Sequence, residues 1–278
     1  MNSPLTSVAH EPRQATQAAA DDRPGPRLVI SVKNRAEALD AVQAGAHVID
    51  VKDPSRGALG RADAHVVAEV AGALQRQVPV SAALGEIVTW SSRDDALQRW
   101  FSMARGTTLA KFGTAGLRRI RQWHEPWKHL LAHCPNDVRP VAVVYADWRS
   151  AQAPRPDRVI DAASDMGCGL VLIDTYDKNH GDLFTVWPRR ELAGAIARIR
   201  HRGMGVVLGG SIALDSLVTA VGLQPDYIAV RGAVCVGSRR AEVSGERVGQ
   251  FAARLERLVR GPARIGDQHP GTGEFGGS

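Results

Sequence analysis

The chain has 278 residues, 44% of them hydrophobic and 5% aromatic, enough for one large domain with a full core, and α/β barrels commonly fill this length alone. Its net charge of +6 does not point to nucleic acid, because the basic residues are mostly Arg spread over predicted helix surfaces with no aromatic-interleaved patch; anionic small molecules fit the charge equally well. Cys134, Cys168 and Cys235 form neither a disulfide framework nor a zinc pattern, and no apolar run is long enough to cross a membrane, so the expectation is a cytoplasmic protein without metal or membrane partner.

Residues 1–26 are polar, punctuated by Pro and Gly, and lack the apolar centre of a signal peptide; they read as a disordered extension. A domain over 27–260 follows. Leu28–Val32 predicts a strand ending at Lys33, and Asn34 caps a helix over Arg35–Ala44. Val48–Lys52 is a second strand, closed by Asp53-Pro54, and Ala64–Leu74 a second helix. Val78–Ala82 is the third strand, followed by a helix over Asp94–Met103 and a fourth strand over Thr108–Phe112. Leu117–Leu131 reads as helical with an interruption near Pro126, and Pro140–Tyr145 as the fifth strand. A helix over Asp157–Met166 leads to a strand over Gly169–Ile173 that ends at Asp174. After a long polar loop come a helix over Arg189–Arg202 and a strand over Gly205–Leu208. A helix over Leu214–Val221, a strand over Tyr227–Val230 and a helix over Glu246–Val259 complete the pattern. The Gly-rich tail, 261–278, reads as disordered.

Eight apolar strands alternating with helices predict a closed (βα)8 TIM barrel, a single α/β domain between two extensions. An open doubly wound sheet is the weaker reading, because Val32-Lys33-Asn34-Arg35 is no glycine-rich nucleotide turn. In a barrel the site lies at the carboxyl ends of the strands. Those ends carry Lys33, Asp50 with Lys52, Lys111, Asp147, Asp174 with the loop residue Lys178, and Arg231. Only five of the 35 basic residues are lysine, and four of the five fall at this rim. Arg cannot lose its proton or form an imine, whereas Lys does both, so these positions are singled out.

Asp50 and Lys52 share one face of their strand while Ile49 and Val51 share the other, which aims an acid and an amine together into the barrel mouth. The plainer readings are a structural ion pair for Asp50-Lys52 with Lys111, a helix-end pairing for Lys33, and turn caps for Asp147 and Asp174. Gly209-Gly210-Ser211 and Arg231-Gly232 follow the last two strands, where this fold usually holds phosphate. Lysines set close together suppress one another's protonation, and burial adds to this. A neutral Lys52 then attacks a carbonyl, Lys111 or Lys178 moves protons, and Asp50 and Asp174 orient the amines. The residues alone thus lead to an imine-forming lyase, aldolase or synthase acting on a sugar phosphate.

The motifs Ile49-Asp50-Val51-Lys52-Asp53-Pro54, Val80-Ser81-Ala82-Ala83-Leu84-Gly85, Lys111-Phe112-Gly113, Leu172-Ile173-Asp174-Thr175 with Lys178, Leu208-Gly209-Gly210-Ser211-Ile212 and Val230-Arg231-Gly232-Ala233 resemble, in the same order, those of the (5-formylfuran-3-yl)methyl phosphate synthase family. The resemblance runs from about Leu28 to Val259. It implies a barrel enzyme that condenses two molecules of glyceraldehyde 3-phosphate into a phosphorylated furan aldehyde, with loss of phosphate and water. The product would feed a furan-containing one-carbon carrier, methanofuran or methylofuran. The resemblance assigns the imine to Lys52, proton acceptance to Lys111, support to Asp50, Asp174 and Lys178, and phosphate binding to the glycine turns and Arg231. It implies no cofactor, and barrels of this kind often form homo-oligomers. The chain departs from the family pattern over 86–95 and in Gly113-Thr114-Ala115-Gly116, both expected to flank the cleft. Two rivals remain at this point: another Schiff-base barrel acting on a sugar phosphate, and a non-catalytic phosphate- or polyanion-binding barrel.

Overall fold

The structure is a computed structural model that describes residues 25–90 and 95–260. The extensions expected over 1–26 and 261–278 therefore lie outside the described residues, apart from Gly25 and Pro26, as does part of the 86–95 loop. The strands are β1 (Arg27–Val32), β2 (Val48–Val51), β3 (Val80–Glu86), β4 (Leu109–Gly113), β5 (Arg139–Tyr145), β6 (Leu170–Asp174), β7 (Gly205–Leu208) and β8 (Tyr227–Val230). They close in sequence order into one parallel barrel, β8 returning to β1 with Arg27 opposite Tyr227 and Ile30 opposite Val230.

Parallel strands cannot be joined by tight hairpins, so each connection crosses the outside of the barrel, mostly as a helix. The helices are α1 (Arg35–Gln43), α2 (Ala64–Leu74), α3 (Ala96–Met103), α4 (His124–Ala132), α5 (Pro156–Asp165), α6 (Leu183–Val186), α7 (Arg189–His201), α8 (Leu217–Val221) and α9 (Gly245–Arg260). Alternation along the strands divides the apolar residues between two cores. Outward residues such as Ile30, Ile49, Val51, Val171 and Ile173 pack against the helices. Inward residues, Ala83, Val141, Val143, Leu170, Leu172 and Val207, fill the barrel itself.

At the mouth, the inward positions of β1, β2 and β3 turn polar. Ser31 lies opposite Asp50, and Asp50 opposite Ser81. Where the chain enters and leaves the domain, Gly25 abuts the last helix: a Cβ on Gly25 would stand 2.5 Å from both γ-carbons of Val259.

Several elements differ from expectation. β3 continues through Gly85 to Glu86, with a shift of register against β4 between Ala83 and Glu86. The helix break expected near Pro126 falls earlier: a short 3-10 turn spans Leu117–Arg119, and α4 starts at His124. Pro126 sits in the first turn of α4, where its missing N–H costs nothing. α8 begins at Leu217 rather than Leu214, so Ser211 does not open a helix. The loop after β6 contains the one-turn helix α6, too short to leave a periodic pattern in sequence.

Candidate active site

Five of the strand-end groups meet at the mouth of the barrel. Lys52 follows β2 directly, its N–H still continuing the ladder to the Val32 carbonyl at 2.9 Å. Lys111 lies on the inner face of β4, 7% exposed, with Nζ 2.5 Å from Asp50 Oδ2. Asp50 is wholly buried; Oδ2 also accepts from Ser31 Oγ at 2.8 Å, while Oδ1 has no partner among the described residues. Asp174 ends β6, and its Oδ1 accepts from Lys178 Nζ at 2.6 Å and from the Thr175 N–H at 2.8 Å. A cleft of about 60 Å³ joins these groups, lined by Lys52, Lys111, Asp174 and Lys178 together with Gly209, Gly210, Ser211 and Gly232.

Electrostatics separate Lys52 from its neighbours. Burial, followed by the Lys111 charge, lowers its pKa from 10.5 to about 7, against the opposing pull of Asp174 and Asp50. Among the described residues, no hydrogen bond or ion pair holds its Nζ. Lys111 and Lys178 each have a carboxylate within 2.6 Å, whereas the Lys52 amine has no such partner among the described residues. For Asp174, burial pushes the carboxyl up, but Lys178 and Lys52 outweigh it and hold the pKa below the usual carboxylate range. The site therefore presents an amine with a pKa lowered to about 7 between two lysine–carboxylate pairs.

The surrounding loops are built to hold these groups. Asp147, expected as a cap, accepts the N–H groups of Tyr176 at 2.7 Å and Asp177 at 2.8 Å, fastening the turn that carries Lys178. Gly210 adopts φ +89°, and a Cβ there would stand 3.1 Å from both Leu183 Cβ and Thr175 Cγ2. Bare backbone is thus required behind β7.

Two of the strand-end cations, Lys33 and Arg231, have partners within the protein. Lys33 does not line the cleft; its Nζ lies 3.8 Å from Glu37, the helix-end pairing that was its plainer reading. Arg231 lines the cleft but directs its guanidinium at Glu37 and at backbone carbonyls. Two features were not anticipated from sequence. Arg239, in the loop after β8, also lines the cleft. Glu86 and Tyr145 form a part-buried pair at the ends of β3 and β5, Tyr145 Oη donating at 2.6 Å. Burial raises the pKa of both groups. A pairing of residues so far apart in sequence leaves no local pattern.

A larger groove, about 490 Å³, lies between α5 and α7, but no lysine lines it. Its Arg155 and Arg198 are already paired with Asp157 at 3.1 Å and Asp161 at 2.6 Å.

With the geometry in hand, comparison with known proteins decides the family. The 4-HFC-P synthase family model matches residues 28–252. The chain belongs to this family of enzymes. Among its relatives is the (5-formylfuran-3-yl)methyl phosphate synthase of Methanopyrus kandleri, 31% identical over 213 residues, covering 76% of this chain and 90% of the relative. The protein of the same name from Methanosarcina barkeri is 26% identical, covering 83% of this chain and 99% of the relative. Among solved structures, phosphoribosyl anthranilate isomerase from Thermotoga maritima superposes with a TM-score of 0.59 at 14% identity, over 83% of this chain and 98% of that one. That likeness carries the barrel fold alone. Among the described residues, no helix is long and apolar enough to cross a membrane.

Proposed function

We propose that this 4-HFC-P synthase family member condenses two molecules of glyceraldehyde 3-phosphate into (5-formylfuran-3-yl)methyl phosphate, through an imine on Lys52. The observation that supports this most is the lone amine at Lys52, with a pKa near 7, set between two lysine–carboxylate pairs. Near neutral pH a large fraction of that amine is a free nucleophile, whereas an ordinary lysine is almost wholly protonated.

The Lys52 amine adds to a triose-phosphate carbonyl and loses water, leaving a protonated imine. Asp50, whose Oδ1 is buried and has no partner among the described residues, offers that oxygen to the imine N–H. Lys111, held by Asp50, gives a proton to the hydroxyl that leaves as water during imine formation and so becomes neutral. The positive nitrogen acidifies the neighbouring carbon, and the freed Lys111 amine then takes that carbon's proton. The resulting enamine attacks the second aldehyde to form the new carbon–carbon bond. Ring closure and elimination of one phosphate and two waters balance two triose phosphates against the furan product. Asp174 and Lys178 line the same cleft as Lys52 and supply a carboxylate to steady the cation and a proton donor for a leaving oxygen. The product would supply a furan-containing one-carbon carrier.

Incubation with glyceraldehyde 3-phosphate, followed for furan absorbance and with borohydride trapping and peptide mapping, tests the reading. A furan product and a reduced adduct on Lys52 are expected. Lys52→Arg, which keeps the charge but forms no imine, should be inactive. Turnover surviving that substitution would rule the imine out.

A further inference from the structure

The cationic groups of the cleft are not equally available to a ligand. Lys111 is matched by Asp50, Lys178 by Asp174, and Lys52 titrates near pH 7. Arg231 has no donor left. Its Nε goes to the Arg239 carbonyl at 2.7 Å; Nη1 goes to the Ser31 carbonyl and to Glu37 Oε2, both at 2.9 Å. Nη2 goes to Glu37 Oε1 at 3.3 Å and to the Ala241 carbonyl at 2.9 Å. A guanidinium has five N–H groups, and these contacts use all five.

Arg239 is in the opposite state. It lines the cleft beside Gly209, Gly210, Ser211 and Gly232. Among the described residues no carboxylate lies within ion-pair distance of it, and its guanidinium makes one long contact, Nη2 to the Gly57 carbonyl at 3.4 Å. Partial burial lowers its pKa, with Asp174 the foremost opposing influence, so it feels the same cleft electrostatically. A guanidinium remains charged even so, and a half-buried one with open donors fits a phosphate in two-pronged fashion.

We propose that Arg239 takes the terminal phosphate of the ligand bound at Lys52, against the glycine edges after β7 and β8, and that Arg231 is a positioning residue that holds the Arg239 backbone in place. The ligand class is a phosphate monoester, and the identity of that ligand as a triose phosphate rests on the function proposed above.

The test uses the full chain and two readouts. Calorimetric titration with inorganic phosphate at low ionic strength should show a saturable site in the wild type, weakened about tenfold or more by Arg239→Gln and partly restored by Arg239→Lys, which keeps charge but not the fork. Borohydride trapping then compares glyceraldehyde 3-phosphate with glyceraldehyde. The preference for the phosphorylated aldehyde should fall about tenfold in Arg239→Gln, an effect that a merely structural role would not confine to phosphate. Arg231→Lys serves as the contrast, with a lowered unfolding midpoint expected. A wild type that binds no phosphate, or an Arg239→Gln variant that binds phosphate and discriminates as the wild type does, overturns the proposal. If phosphate binding depends on Arg239 but no aldehyde is trapped on Lys52, the anion site stands and the synthase reading falls.

Discussion

At the scale of single residues, Lys52 is costly to the fold, and the lowered pKa that makes it so is what the proposed imine requires. Its folded pKa of about 7 lies below the 10.5 of an ordinary lysine. Between those values the unfolded chain binds a proton that the folded chain lacks, so stability rises with pH across that window and the full penalty is felt below it. Lys52→Met should therefore raise the unfolding midpoint near neutral pH, by an amount worth up to about 4 kcal/mol, and the gain should shrink towards pH 10. Thermal unfolding of both proteins at several pH values checks it. The rate of borohydride-trappable adduct should rise through pH 7 and then level off. The positions of Lys52, Lys111, Asp174 and Lys178 were legible because strand ends are legible, and a barrel brings all strand ends to one rim. Which arginine of the cleft keeps its donors open was not. Arg231 is taken out of play by Glu37, 194 residues away, and nothing local to Arg231 records that partnership.

At the scale of elements, the same Glu37 links four segments. Its backbone N–H donates to the Asn34 cap at 2.9 Å, and its carboxylate accepts from the Lys33 N–H at 2.8 Å, a variant of the capping box at the head of α1. The carboxylate also accepts from Arg231 after β8 and from the Val243 N–H ahead of α9. Both side chains of the Glu37–Arg231 pair are nearly inaccessible to water. Removing one partner leaves a buried charge unmatched, so Glu37→Gln should destabilise the protein by about 3 kcal/mol or more in denaturant titration. Replacing an exposed pair, such as Arg260 with Glu256, should change stability by less than about 1 kcal/mol. From sequence, Asn34 was readable as a cap because capping is a local bond. The extension of β3 to Glu86 was not, because Gly85 looks like a stop unless the neighbouring strand is known.

At the scale of the whole molecule, the barrel was readable from alternation alone: apolar strands of matched length, each followed by a helix or polar connection, admit few other closed arrangements. The two-core division followed from the same period of two, which sends Ile49 and Val51 outward and Asp50 inward. The contact of Gly25 with Val259 carries a further consequence. A short glycine–serine bridge could splice Arg260 to Gly25, and a cut at exposed Gly167, in the turn between α5 and β6, would give the polypeptide a new beginning and end. Such a rewired circle should refold with its circular dichroism spectrum and Lys52 chemistry intact, since neither the splice nor the cut touches the mouth of the barrel.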